Sequence, residues 1–309
     1  MNKIPGILIL VITCCFILSL KVFSEEKSPT VEDVYLGLSS GPLRYARLVT
    51  LPDGILLRAG DVTINQKQVD EKIAQSEPEL QEQFKRNAFY VLEQAALYPI
   101  LLNEAKKWMA TQNIQSNNPN EDELFKLYLE SLIPPDLTVS DQEAQAFYDQ
   151  NRESFGEASF NEVKGTVIDY LLGQKKQEAI NAYVRSLSQH LEIEVNADWV
   201  KVQSESALDN SVDQARRNGL PVMVDFGASG CVPCDMMAPI LEELQMSLKE
   251  KCTILFTDVR IYQVLSARYQ ISNIPTQVFF DREGIEVFRH TGFFSKEEIL
   301  DKLAELGVD

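Results

Sequence analysis

The chain has 309 residues, 45% of them apolar, and a net charge of −17. That length allows about two domains, and the apolar fraction excludes a disordered chain. Residues 25–204 hold 29 acids against 17 bases and residues 205–309 hold 17 against 10, so both halves are acidic. This excludes the basic footprint of a nucleic-acid binder and attraction to anionic lipid.

Residues 1–24 read as an export signal: Lys3 starts it, Ile7 to Leu20 is almost wholly apolar, and Val22-Phe23-Ser24 forms a cleavage site. Two alternatives stay open, an uncleaved membrane anchor and a lipoprotein modified at Cys14 or Cys15. All three place the chain outside the cytoplasm, in the periplasm or its equivalent, and only the last two leave it on a membrane. Cleavage after Ser24 leaves Cys231, Cys234 and Cys252. An odd count in an exported chain points to one functional pair and one leftover thiol. Cys252 opens an apolar run and reads as a small buried residue. With His190 and His290 the only histidines and no second Cys-x-x-Cys, no zinc site is expected, and thiol–disulfide exchange at a cysteine pair needs neither a metal nor an organic cofactor.

Residues 25–54 form an irregular N-terminal extension broken by Gly37, Gly41, Pro42, Pro52 and Gly54. Ile55 to Ile64 predicts a hairpin centred on Gly60-Asp61. Asn65 caps a helix running to about Gln75. Ser76-Glu-Pro-Glu79 has the form of a capping box with Pro78 near the helix start. The helix that follows, to about Thr111, puts Phe84, Ala88, Val91, Leu92, Ala95 and Ala96 on one stripe, and Pro99 is expected to kink or divide it. Asn117 to Asn120 and Pro134-Pro135 are breaks. Ser140-Asp-Gln-Glu143 and Ser159-Phe-Asn-Glu162 open further helices. The second is long, with Phe160, Val163, Val167, Tyr170, Leu171, Ile180, Tyr183, Val184 and Leu187 at helical spacing. Glu192 to Val195 alternates like a strand. The helical domain therefore covers residues 55–200 and a second domain residues 201–309.

In that second domain helix and strand alternate. A helix near Glu205–Asn218 precedes a strand at Pro221–Phe226; strands follow at 253–257, 276–281 and 285–290, with helices at 261–269 and 295–306. This predicts a sheet flanked by helices. Between the first strand and its helix stands Cys231-Val232-Pro233-Cys234. Cys231 falls at a helix N-terminus, where free N–H groups and the helix dipole favour a thiolate. Cys234 lies one turn on, close enough to close a disulfide with it. The chemistry this suggests is thiol–disulfide exchange.

Residues 205–309 resemble thioredoxin: Val224-Asp225-Phe226 precedes the helix, the Cys-x-Pro-Cys pair opens it, Pro239 lies five residues beyond Cys234, and Ile274-Pro275-Thr276 stands where the family keeps its cis-proline loop. The resemblance implies an α/β thioredoxin fold in which Cys231 attacks a partner's disulfide and Cys234 resolves the mixed disulfide. Asp225 stands where the family buries a carboxylate that moves the Cys234 proton. Ile274 and Pro275, with Val232 and Pro233, are the expected substrate-binding residues. Gly230 and Val232 replace the family's usual tryptophan and glycine, and Phe256 occupies a strand position where many members carry a lysine.

Residues 55–197 resemble the chaperone portion of SurA-type periplasmic proteins. The similarity rests on Gly60 to Asp70, on Val139 to Phe155, and on Phe160 to Ala179. The resemblance implies an all-α domain able to hold unfolded clients. The family's parvulin module has no room near Phe155, so prolyl isomerase activity is not implied. The expectation is an exported protein-disulfide oxidoreductase, a reductase or isomerase, acting on exported thiols and disulfides with an upstream redox partner. Two alternatives remain: a chaperone or scaffold whose cysteine pair is structural or redox-sensing, and a reductant dedicated to one maturation pathway.

Overall fold

The computed structural model describes residues 28–112 and 120–308. The expected export segment, residues 1–24, and residues 117–119 of the expected loop lie outside the described residues. The chain opens with α1 (Val31–Val34), β1 (Arg47–Val49), and the hairpin β2 (Ile55–Ala59) and β3 (Val62–Asn65). Helices α2 (Gln66–Ala74), α3 (Pro78–Arg86), α4 (Ala88–Thr111), α5 (Glu121–Ser131) and α6 (Asp141–Gln150) follow, then a 3-10 turn at Arg152–Phe155 and the long α7 (Phe160–His190). Strand β4 (Ile193–Asn196) returns to the hairpin, and α8 (Ala197–Ala207) and α9 (Ser211–Ala215) lead into the second sheet.

The side-chain caps explain most helix starts. Asn65 with Gln68, Ser140 with Glu143 and Ser159 with Glu162 each form a reciprocal capping box. The Ser76 box does not form: the Ser76 hydroxyl donates to Ile73 O at 2.7 Å, closing the preceding helix, and Pro78 alone marks the start of α3. Pro99 does not divide α4, which runs unbroken through it. The break falls earlier, at Asn87, whose amide donates back to Gln83 O at 2.8 Å. The stripe of α4 is core: Phe89, Val91, Leu92, Ala95 and Ala96 are buried against the strands.

The N-terminal region is mainly helical, yet "all-α" leaves out a four-stranded sheet in the order β1-β4-β2-β3. The hairpin edge carrying Leu57 and Ala59 needs a partner, and β4 supplies it antiparallel with the buried Ile193 and Val195. Strand β1 then joins β4 in parallel, Leu48 opposite Val195. Residues 28–54 are part of this body: Val31, Leu38, Leu43, Ala46 and Leu48 lie in the same core as α4. The helix expected near 205–218 is instead α8 and α9, separate because Asn196 caps the first and Asn210 the second.

The second sheet consists of β5 (Val222–Gly227), β6 (Thr253–Asp258), β7 (Thr276–Phe280) and β8 (Glu286–Thr291), in the order β6-β5-β7-β8. Helices α10 (Val232–Ser247), α11 (Gln263–Arg268) and α12 (Lys296–Glu305) cover it. Strand β5 is central, parallel to β6 and antiparallel to β7. Its alternation sorts two cores: Val222, Val224 and Phe226 join Leu265, Tyr269 and Phe280, whereas Met223 joins Met237, Leu241, Phe279 and Ile299. Asp225 therefore shares the face of Met223, beneath α10.

The two bodies meet along α11. The Gln83 amide brackets its start, donating to Ile261 O at 3.0 Å and accepting from Val264 N at 3.2 Å. Arg268 is buried; it bonds Asp213 and donates to Ala207 O at 2.8 Å. Just past α11, Gln270 donates to Ser40 O at 2.6 Å and accepts from Arg185 of α7 at 3.1 Å. Among the described residues no helix is long and apolar enough to cross a membrane.

Candidate active site

Cys231 is the N-cap residue of α10 and Cys234 lies in its first turn. The two are joined in a disulfide with Cα atoms 5.2 Å apart. Gly230, at φ 76°, makes the turn that brings the chain from β5 onto the helix. Its N–H donates to Asp235 Oδ1 at 3.3 Å, and Arg260 holds the preceding Ser229 carbonyl at 2.8 Å. The helix start leaves Cys231 half-buried and Cys234 only 4% exposed. That asymmetry leaves the first sulfur partly open to solvent and the second buried.

Asp225 has no exposed surface. Its Oδ1 accepts from Gln277 Nε2 at 2.7 Å. Its Oδ2 has no hydrogen-bond partner among the described residues. Burial pushes the carboxyl up to about 6, against a smaller downward pull from the Gln277 amide. Gly227 shows how the carboxylate and the second cysteine approach one another. A Cβ placed there would lie 3.4 Å from Asp225 Oδ2, 3.5 Å from Cys234 Cβ and only 2.9 Å from Phe256 Cε2. Phe256 pairs directly with Asp225 across β5 and β6, so no cation faces the carboxylate from that strand.

The Ile274–Pro275 peptide is cis. Strand β7 begins at the next residue, with Thr276 opposite Phe226, which puts this loop at the same end of the sheet as the disulfide. Pro275 O accepts from Gly292 N at 2.8 Å. Val232 and Pro233 between the cysteines are exposed and half-buried, and Ile274 and Phe293 are half-buried and exposed. The structure thus gathers Cys231, Cys234, Asp225, Val232, Pro233, Ile274 and Pro275 at one end of one sheet. Gln277 was not singled out in the sequence, although a glutamine inside the apolar strand Thr276–Phe280 is itself a signal. Cys252 is buried, and burial pushes its thiol up to about 12. Among the described residues no group of three or more His, Cys, Asp or Glu side chains is placed to hold a metal ion.

A family model described as thioredoxin matches residues 199–305. A thioredoxin-like protein of Synechocystis is 37% identical over 83 residues, spanning 27% of this chain and 78% of that protein. A thioredoxin of Staphylococcus aureus is 42% identical over 83 residues, spanning 26% of this chain and 79% of that protein. Among solved structures, the germline-specific thioredoxin Deadhead from Drosophila melanogaster matches with 26% identity and a TM-score of 0.27, covering 29% of this chain and 84% of that one.

Proposed function

Since the chain belongs to the thioredoxin family through its C-terminal domain, we propose that it is an exported protein-disulfide oxidoreductase whose redox couple is Cys231–Cys234. The observation that carries this reading is the disulfide at the start of α10, with the unpartnered, buried Asp225 Oδ2 and the second cysteine both lining Gly227. In the reduced protein the Cys231 thiolate, favoured by the helix N-terminus, attacks one sulfur of a client disulfide. The client S–S bond breaks, a Cys231–client disulfide forms, and the other client sulfur leaves as a thiolate. Asp225 then takes the Cys234 proton, and the Cys234 sulfur attacks Cys231 Sγ. The second client thiolate leaves, and the oxidised pair seen here results: the client has gained two electrons and the enzyme has lost them. A reduced dithiol of an upstream protein returns the couple to its starting state. The backbone of Ile274 beside Pro275, with Val232 and Pro233, forms the rim on which the client strand lies.

The apolar run Ile7 to Leu20 supports export to the periplasm or its equivalent. We read the N-terminal domain as a SurA-like client holder. The aromatic cluster of Phe147, Tyr148, Phe155, Phe160 and the exposed Tyr170, on α6, the 3-10 turn and α7, supports that, because the α4 stripe is already occupied by the core.

The test is the reduction potential of the pair, measured by equilibration with glutathione or dithiothreitol buffers. A value near about −270 mV makes the protein a reductant or a reductively recycled isomerase, and one near about −120 mV makes it a disulfide donor. No reversible couple at all sinks the enzyme reading and leaves the helical domain as the functional part. Cys234→Ser should accumulate mixed disulfides with exported clients, and Cys231→Ser should accumulate none.

A further inference from the structure

We propose that Gln277 is the positioning residue of the active site, holding Asp225 by one oxygen so that the other is presented to Cys234. This rests on the redox reading above and names a residue that reading does not use. Across the sheet, Phe256, Asp225, Gln277 and His290 form one row in register, at the disulfide end of the face covered by α10. Within it Asp225 and Gln277 are both fully buried, and each is the other's hydrogen-bond partner. Gln277 uses Nε2 on Asp225 Oδ1, and its own Oε1 has no partner among the described residues. A buried amide left half satisfied carries an energetic penalty. An apolar pair in place of Asp225 and Gln277 together would carry no such penalty, so stability alone does not account for the two polar residues.

The amide does two things that an apolar residue cannot. It fixes the carboxylate plane, so that Oδ2 stays on the Gly227 side, where Cys234 lies. It also supplies a neutral donor in a place where no cation stands opposite, since Phe256 fills the paired position on β6. A cation would hold the carboxylate ionised and make it a weak proton acceptor, whereas an amide donates to Oδ1 in either protonation state. The carboxyl then takes a proton from Cys234 at Oδ2 and returns it without changing its partner. The other titratable groups on the surrounding elements are already engaged. His290 on β8 stacks on Phe294 and contacts Phe293 O at 3.2 Å. Asp235 on α10 accepts from Gly230 N, and Asp258 at the end of β6 accepts from Arg260 N at 2.8 Å.

The experiment uses the reduced full chain, mixed with oxidised glutathione in a single turnover. Acid-quenched mass spectrometry follows the Cys231–glutathione species and its resolution by Cys234 between pH 5 and pH 9. Gln277→Met keeps length and volume and removes the donor. Its resolution step should titrate about one pH unit higher than in the wild type, roughly tenfold slower at pH 5 and equal above pH 8. The first step, attack by Cys231, should not change. Gln277→Glu should move the resolution profile further in the same direction. If the methionine variant does not accumulate, Gln277→Leu gives the same comparison. A Gln277→Met profile superimposable on the wild type, or an equal loss in both steps, overturns the proposal. Asp225→Asn separates the two readings. If it abolishes the titration while Gln277→Met leaves it in place, only the role of Gln277 fails; if it changes nothing, Asp225 is not the proton acceptor and the parent mechanism falls too.

Discussion

Asp225→Asn should make the protein more stable at neutral pH, and by an amount that depends on pH. The carboxyl moves from its ordinary 3.8 to about 6 on folding, chiefly because it is buried. Between those values the folded state holds a proton that the unfolded chain has released, so stability falls as pH rises through this window and stays reduced above it. At about 1.4 kcal/mol per pH unit the loss amounts to roughly 3 kcal/mol. Asparagine keeps an acceptor for the Gln277 amide and has no charge to bury. The variant should therefore match the wild type below pH 4 and exceed it by up to about 3 kcal/mol above pH 6. Urea unfolding of both oxidised proteins at several pH values, followed by far-ultraviolet circular dichroism, reads the difference. Fluorescence would not serve, since Trp108 and Trp199, the chain's two tryptophans, pack against the helical core. A gap that stays constant with pH, or a wild type more stable at pH 7.5, refutes the argument that burial dominates at this site.

Three further outcomes follow from the packing. Asp213→Ala leaves the buried Arg268 guanidinium without its carboxylate and should cost about 3–5 kcal/mol in the same unfolding assay, with Arg268→Met much milder when paired with it. In the reduced protein, iodoacetamide at pH 8 should label Cys231 rapidly and Cys252 only after unfolding, because burial holds the latter's thiol near 12; peptide mapping distinguishes them. Gly41→Ala places a Cβ 2.8 Å from the Glu93 carboxyl carbon, displacing the acceptor of Ser39 and Leu43, and should lower the urea midpoint by an amount equivalent to about 1–3 kcal/mol.

What could be read from the chain was local or motif-borne. Asn65, Ser140 and Ser159 cap the helices their spacing announces, and the Cys-x-Pro-Cys segment sits where a strand meets a helix. The misreadings come from competition between neighbours and from long-range pairing. Ser76 had two helix ends within reach and closed the earlier one. Residues 28–54 look irregular alone because their strand, β1, finds its partner in β4 at Arg47–Glu194, far along the chain. Gln277 stands out in sequence as a polar residue in an apolar strand, but its partner Asp225 is set by register, a pairing that neither residue's surroundings in sequence contain.

The contacts along α11 also bear on the client-holding role proposed for the helical body. Gln83, Arg268 and Gln270 tie the helical body to the segment that leads into the Ile274–Pro275 loop. A tether would give every cysteine of a held client some local concentration at Cys231, declining gradually with distance. A docked joint behaves differently: a client disulfide at the matching span meets Cys231 at high effective concentration, and one held elsewhere meets it no more often than from bulk solution. Under the client-holding reading proposed above, the joint acts as a ruler, selecting disulfides by their position in the held polypeptide as well as by their sequence.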